Sequence, residues 1–165
     1  MCRATRQKGI DVSGIIGVAC ACHAIFCPGG MVDLYVGKWY IILSNSRLLA
    51  EYFHRYSHVD YAVSRALWTV NSSVEVYITY HIACQYGTHF VKHLSDFSDL
   101  DPELLKKIKF FVLTMHLLAH KEWCQFVYAL YYSNGSGMTH GKTIEHPWSK
   151  GNQAGGSTQE MNLGH

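Results

Sequence analysis

The order of apolar and polar residues along the chain predicts several short strands. Apolar residues follow one another closely in segments rich in β-branched and aromatic side chains, a composition typical of strands. The sequence Pro-Gly-Gly at 28–30 predicts a turn that ends the first strand region. These features predict a strand region over 14–20 that continues over 22–26, and further strands at 31–34, 74–80 and 109–115.

Helical periodicity separates these strands. Apolar residues over 59–70 recur at spacings of three and four, which predicts a helix with one buried face. Asp101 followed by Pro102 predicts a helix start, because an Asp cap and a proline in the first turn suit a helix N-terminus. Further helices are predicted at 46–54, 82–94 and 116–132, with weak periodicity at 140–149 and a flexible tail at 151–165. Alternating strands and helices indicate an α/β fold.

Composition limits the classes of protein to consider. The chain has 165 residues, of which 48% are hydrophobic and 16% charged, so we expect a single unit with one core. The net charge of +2 gives no electrostatic argument for nucleic acid. The apolar runs at 14–27 and 108–119 are too short to span a bilayer, so we expect no membrane partner. The six cysteines are interpreted as reduced thiols of an intracellular protein.

Several short blocks together carry a family resemblance. They include Asp60-Tyr61-Ala62 and lie at 17–23, 28–34 (PGGMVDL), 60–62, 80–86 (YHIACQY), 141–148 (GKTIEHPW) and 156–162. In order and spacing, these blocks resemble those of the Kyakuja-Dileera-Zisupton (KDZ) DNA transposases of fungi, over residues 14–164. The shared order and spacing of the blocks, rather than any single block, carry the resemblance.

The resemblance implies an RNase H-like domain of the DDE transposase type. In such a domain three acidic side chains hold two Mg²⁺ or Mn²⁺ ions that promote cleavage and joining of DNA strands. It also implies the DNA of transposon ends as partner, assembly into a protein oligomer, and a nuclear location. We expect residues 1–165 to form one fragment of this catalytic domain, incomplete at both ends.

This chain departs from the family at the catalytic positions. His81 stands where the resemblance implies the second acidic ligand, and imidazole suits zinc, copper or iron better than magnesium. Near the end, Lys142 replaces the first of two family glutamates and Glu145 retains the second, and either position could be the family's ligand. The block that carries the first catalytic Asp precedes the segment present here. We therefore expect an inactive remnant, with His81 and Glu145 as the remaining catalytic and metal positions.

The spacing between two family blocks is also unusual. Omitting residues 39–54 would join Lys38 to Arg55 and restore the family pattern up to Asp60. We therefore interpret 39–54 as an insertion or a translated intron.

A second class of function rests on the histidines and cysteines. His116, His120 and Cys124 are spaced four residues apart on a predicted helix, so they could hold structural zinc with Cys84 or His140. The alternative, which we favour from the sequence, is a helix face whose polar rings are packed or hydrogen-bonded. The functional hypothesis that follows is a noncatalytic module that binds zinc, DNA or protein. The thiols of Cys20, Cys22 and Cys27 are too tightly spaced for a zinc knuckle and are interpreted as buried.

Overall fold

An antiparallel hairpin is the first part of the fold. The computed structural model describes residues 12–35, 47–95 and 99–136. Strand β1 (Val12–Cys20) pairs with strand β2 (Ile25–Tyr35), and residues 21–24 form the turn between them. Ala24 adopts a positive φ of 54° in this turn, a conformation that reverses the chain tightly.

The turn predicted at 28–30 is wrong, because these residues lie within β2 as a bulge. Gly17 pairs with Met31, whereas Ala19 pairs with Phe26, so β2 carries extra residues at this point. Gly29 has a φ of +71°, which explains the turn-like composition. The local backbone is therefore as irregular as the sequence indicated, but the chain does not reverse there.

Helix α1 (Arg47–Leu67) packs against the hairpin. It joins the predicted helices at 46–54 and 59–70 into one element that ends at Leu67 rather than Val70. A Cβ on Gly30 would lie 3.3 Å from the Cβ of Ala66, so the glycine allows helix and strand to approach closely. The side chains of Tyr56, Asp60, Val63 and Leu67 are buried at helical spacing along one face.

The second sheet is a parallel pair. Strand β3 (Val76–Thr79) and strand β4 (Ile108–Phe111) pair in parallel. They overlap the strands predicted at 74–80 and 109–115, although β4 ends at Phe111 rather than at Met115. Three short helices connect them: α2 (Ala83–Tyr86), α3 (Phe90–Ser95) and α4 (Pro102–Lys106). The Asp101 side chain accepts a 2.9 Å hydrogen bond from the Glu103 amide, so the predicted cap is confirmed.

The predicted helix at 116–132 is wrong. The chain forms helix α5 (Thr114–Leu117), helix α6 (Glu122–Val127) and a 3-10 helix (Leu130–Tyr132) instead. Val112 pairs with Ala129 as an isolated bridge, and its amide donates a 2.8 Å hydrogen bond to the Tyr128 carbonyl. This tertiary pairing returns the chain to the end of β4, which a straight helix could not do. Residues 134–135 form a turn, with Gly135 at a φ of +83°.

The main core lies between α1 and the helices that follow β3. The side chains that form it are Tyr56, Val63, Leu67, Tyr86, Phe90, Leu94, Leu100, Leu104, Leu105 and Ile108. A smaller cluster of Ala83, Val112, Leu117 and Ala129 lies beside it. The described part of the chain is thus mixed α/β, as predicted. Within it, no helix has the length and apolarity needed to cross a bilayer.

Candidate functional site

His81 lies immediately beyond the carboxyl end of β3. The Tyr80 amide donates a 2.9 Å hydrogen bond to the Phe111 carbonyl, so the strand pairing ends one residue before His81. The His81 ring packs edge-on against Tyr80, and its centroid is 6.0 Å from that of His116. This end of a parallel strand pair is where loops place functional side chains in α/β sheets.

The electrostatic surroundings of His81 favour a neutral imidazole. Its pKa is lowered first by partial desolvation and then by the nearby His116 and His120 rings. A neutral imidazole supplies one nitrogen ligand and no negative charge, so it does not replace a carboxylate as a ligand for Mg²⁺. The residues present therefore do not fit a magnesium site centred on this position.

A cluster of three potential metal ligands lies next to His81. It consists of Cys84 in α2, His120 in the turn after α5, and Cys124 in α6, and we call it the Cys/His cluster. All three ligand atoms lie within 4.8 Å of one another. Among the described residues, this is the group of His, Cys, Asp and Glu side chains that meets such a geometry.

The distances in the Cys/His cluster fit a tetrahedral zinc ion. Zn–S bonds of about 2.3 Å and Zn–N bonds of about 2.0 Å place a sulfur and a nitrogen ligand about 3.5 Å apart at tetrahedral angles. The Cys84 sulfur lies 3.4 Å from Nδ1 of His120. Soft thiolates combined with imidazole are also the donors that zinc prefers. The cluster can therefore hold a metal ion.

A hydrogen bond orients the His120 ring for this role. Nε2 of His120 is 2.8 Å from the His81 carbonyl oxygen, which can only accept, so Nε2 carries the proton. In the neutral ring the lone pair is then on Nδ1, the atom that faces Cys84. Metal-bound histidines commonly have their second ring nitrogen held in this way. Gln125 donates a 2.8 Å hydrogen bond to the His120 carbonyl and steadies the turn.

The surroundings of Cys84 favour its protonated thiol in the absence of metal. Burial raises the pKa of Cys84, and the neighbouring Cys124 raises it further. Cys124 is 9% exposed, so its sulfur is shielded from solvent. A metal ion bound here would displace the thiol protons, because the thiolate is the ligand.

The structure separates two residues that the sequence had grouped. His116 lies in α5, and the chain turns before His120, so the spacing of four residues does not align these rings on one helix. The ring of His116 faces His81 and does not belong to the Cys/His cluster. His140 and Glu145 lie outside the described residues, and their predicted roles stay predictions.

A buried polar cluster was not identified from the sequence. Asp60 of α1 is 2% exposed and accepts a 2.7 Å hydrogen bond from the Tyr86 hydroxyl. Its second carboxylate oxygen lies 3.4 Å from Nδ1 of His93, which is also 2% exposed. Desolvation raises the pKa of Asp60 to about 6, although the Tyr86 hydrogen bond opposes the shift. The sequence feature that could have identified this cluster is an aspartate, Asp60, at helical spacing from Tyr56 and Val63 on an apolar helix face.

Comparison with known proteins gives one result that bears on these features. The family model described as Kyakuja-Dileera-Zisupton transposase matches residues 52–165. The matched range includes His81 and the whole Cys/His cluster but not the hairpin of β1 and β2. No curated protein and no solved structure matches the chain. Since the match covers more than half of the chain, this protein belongs to the KDZ transposase family.

Proposed function

We propose that this chain is a transposase-derived, RNase H-like domain that does not catalyse DNA strand transfer. The family match supports the transposase origin. The observation that carries the loss of activity is the imidazole of His81 at the end of β3, where the family resemblance implies a carboxylate.

The order of the elements supports an RNase H-like arrangement. An antiparallel hairpin is followed by a long helix and then by a parallel strand pair with helical connections. In a fold of this kind the acidic ligands lie at strand ends, and His81 occupies the end of β3. The lowered pKa of His81 adds to the argument, because a neutral ring cannot offset the charge of two divalent ions.

A nicking assay on supercoiled plasmid with Mg²⁺ or Mn²⁺ tests the loss of activity. We expect the purified chain to leave the plasmid supercoiled at metal concentrations that saturate active transposases. The same result is expected at concentrations ten times higher. Nicking that disappears in Glu145→Ala would contradict the proposal, because a contaminating nuclease would be insensitive to that change. His116→Ala is the control for nonspecific effects of a substitution.

Family membership also suggests the partners and the location. The ligand implied is the DNA of transposon ends, with assembly into an oligomer and residence in the nucleus. Electrophoretic mobility shifts with labelled DNA measure the binding of transposon ends, and sedimentation of the protein measures its oligomeric state. The net charge of +2 predicts weak binding to random DNA, because few phosphate charges would be neutralised.

Residues 39–54 are proposed to be an insertion within the family sequence. The proposal rests on the block pattern, because omitting these residues joins Lys38 to Arg55 and restores the family spacing up to Asp60. Sequencing the mature transcript tests the intron version. A message that still encodes Trp39 to His54 would rule it out.

A second candidate function is a noncatalytic module that contains structural zinc. The Cys/His cluster favours it, because two thiols and an oriented imidazole converge from three separate elements. Zinc there would link the end of β3 to α6 and so contribute directly to folding.

Zinc analysis of matched histidine variants tests this function. We expect about one zinc per chain in the wild type and in His116→Ala, and loss of zinc in His120→Ala. The two histidines are four residues apart in sequence, but only His120 reaches the Cys/His cluster. Equal zinc content in His116→Ala and His120→Ala would show that the cluster is not the binding site.

A further inference from the structure

The end of the hairpin holds three cysteines in different surroundings. Cys20 is the last residue of β1, Cys22 lies in the turn, and Cys27 lies in the bulge of β2. Cys22 is exposed, whereas Cys20 and Cys27 are partly buried. None of these side chains belongs to the Cys/His cluster.

Cys20 is distinguished by its contact with a histidine. Its sulfur lies 3.3 Å from Nδ1 of His23, and both side chains are accessible to solvent. The tight turn produces this contact, since the Ala24 amide donates a 3.0 Å hydrogen bond to the Cys20 carbonyl and folds His23 back over β1. Within the described hairpin, Cys20 is the cysteine with an imidazole at hydrogen-bond distance.

The surrounding groups favour the thiolate of Cys20 and disfavour that of Cys27. The His23 side chain and the backbone amides of Cys22 and His23 lower the pKa of Cys20. Burial and the nearby Cys20 raise the pKa of Cys27. A thiolate at a solvent-accessible position is the form that reacts with electrophiles and oxidants.

We propose that Cys20, paired with His23, is a reactive thiol that peroxides and soft electrophiles modify selectively. The site is independent of the transposase chemistry and of the zinc cluster. It would make the hairpin, which packs against α1 through β2, the part of this protein that responds to oxidants.

The oxidation step balances with peroxide as the oxidant. The Cys20 thiol transfers its proton to Nδ1 of His23, and the thiolate attacks one oxygen of hydrogen peroxide. A sulfur–oxygen bond forms as the oxygen–oxygen bond breaks, and the leaving hydroxide takes the proton from His23 to become water. The sulfur is oxidised by two electrons to a sulfenic acid, and the peroxide is reduced.

Competitive alkylation of the full chain tests the proposal without any variant. The protein is treated with limiting iodoacetamide at pH 7, and mass spectrometry measures the labelled fraction of each cysteine. We expect Cys20 to react at least about threefold faster than Cys22 and faster still than Cys27, because thiolate content rather than exposure sets the rate. Cys22 is the matched control, since it is more exposed and lies two residues away.

A variant and a second reagent test the role of His23. We expect His23→Phe to reduce the Cys20 rate to that of Cys22, and hydrogen peroxide with dimedone to trap a sulfenic acid at Cys20 of the wild type. Labelling of Cys22 as fast as Cys20, or an unchanged Cys20 rate in folded His23→Phe, would overturn the proposal. Because His23 is exposed, the variant is expected to keep the far-ultraviolet circular dichroism of the wild type.

Discussion

Asp60 is an acidic side chain enclosed by aromatic rings. Its carboxylate accepts a hydrogen bond from Tyr86 and lies near His93, and Tyr56 packs against the rings of both. Burial of a carboxylate is costly in its charged form, so the folded protein holds a proton on Asp60 more tightly than the unfolded chain does. This single residue therefore makes stability depend on pH.

The sign of this dependence follows from the direction of the shift. The pKa of Asp60 rises from 3.8 to about 6 on folding, so its contribution is fully present below about pH 4 and is lost as pH rises through about 6. The amount is on the order of 3 kcal/mol in the free energy of unfolding. We expect Asp60→Asn to remove this pH-dependent loss of stability, because the amide oxygen still accepts the Tyr86 hydrogen bond but the side chain does not titrate.

Urea denaturation at a series of pH values between 4 and 7 measures the effect. Asp99→Asn, which alters an exposed carboxylate, should retain the slope of the wild type. An unchanged slope in Asp60→Asn would show that another group dominates the pH dependence.

Gly87 lies at the break between α2 and α3, where a larger residue would meet the Phe110 side chain. The sequence predicted one helix over 82–94, but the chain has two short helices on either side of residues 87–89. Gly87 adopts ordinary helical angles, with a φ of −62°, so the glycine is needed for space rather than for backbone conformation. A Cβ there would lie 2.9 Å from the Phe110 ring, which packs edge-on against Phe90 and Tyr86.

Replacing Gly87 with alanine should therefore push α2 away from β4. We expect Gly87→Ala to lower the free energy of unfolding by about 1–3 kcal/mol, because added volume in a packed core forces strain. Gln85→Ala, at an exposed position of the same helix, should change it by less than about 0.5 kcal/mol. Thermal or chemical denaturation compares the two variants. A Gly87→Ala protein as stable as Gln85→Ala would contradict the close contact with Phe110.

Zinc in the Cys/His cluster would join the end of β3 to the segment that follows β4. Cys84 follows β3, whereas His120 and Cys124 belong to the segment after β4. The pairing of Val112 with Ala129 and the Tyr77 hydroxyl bond to the Asn134 carbonyl, 2.8 Å long, also tie this segment to the parallel sheet. A metal ion would add a further link at the end where His81 lies.

Zinc should therefore stabilise the folded protein as a whole. At a free zinc concentration 100 times the dissociation constant, we expect the free energy of unfolding to rise by about 2.7 kcal/mol. Cys124→Ser should abolish this response, and Cys22→Ser, outside the cluster, should preserve it. Denaturation midpoints with zinc and with a chelator provide the measurement. A zinc response that persists in Cys124→Ser would assign the binding site to other residues.

Local patterns in the sequence determined much of the fold. The strands at β3 and β4, the cap at Asp101 and the apolar face of α1 were all predictable, because each depends on neighbouring residues in the chain. The family was also recognisable, since ordered blocks are a property of the sequence itself. The same blocks predicted an acidic residue at the position of His81.

Tertiary structure alone decided which side chains meet. His120 was predicted to share a helix face with His116, but α5 ends at Leu117, and of the two rings only His120 joins the Cys/His cluster. Cys84 reaches His120 across 36 positions of sequence because β3 and β4 are parallel and end at the same edge. Periodicity reports which face of one element is apolar, whereas a metal site requires the register between elements, and packing of the whole chain sets that register.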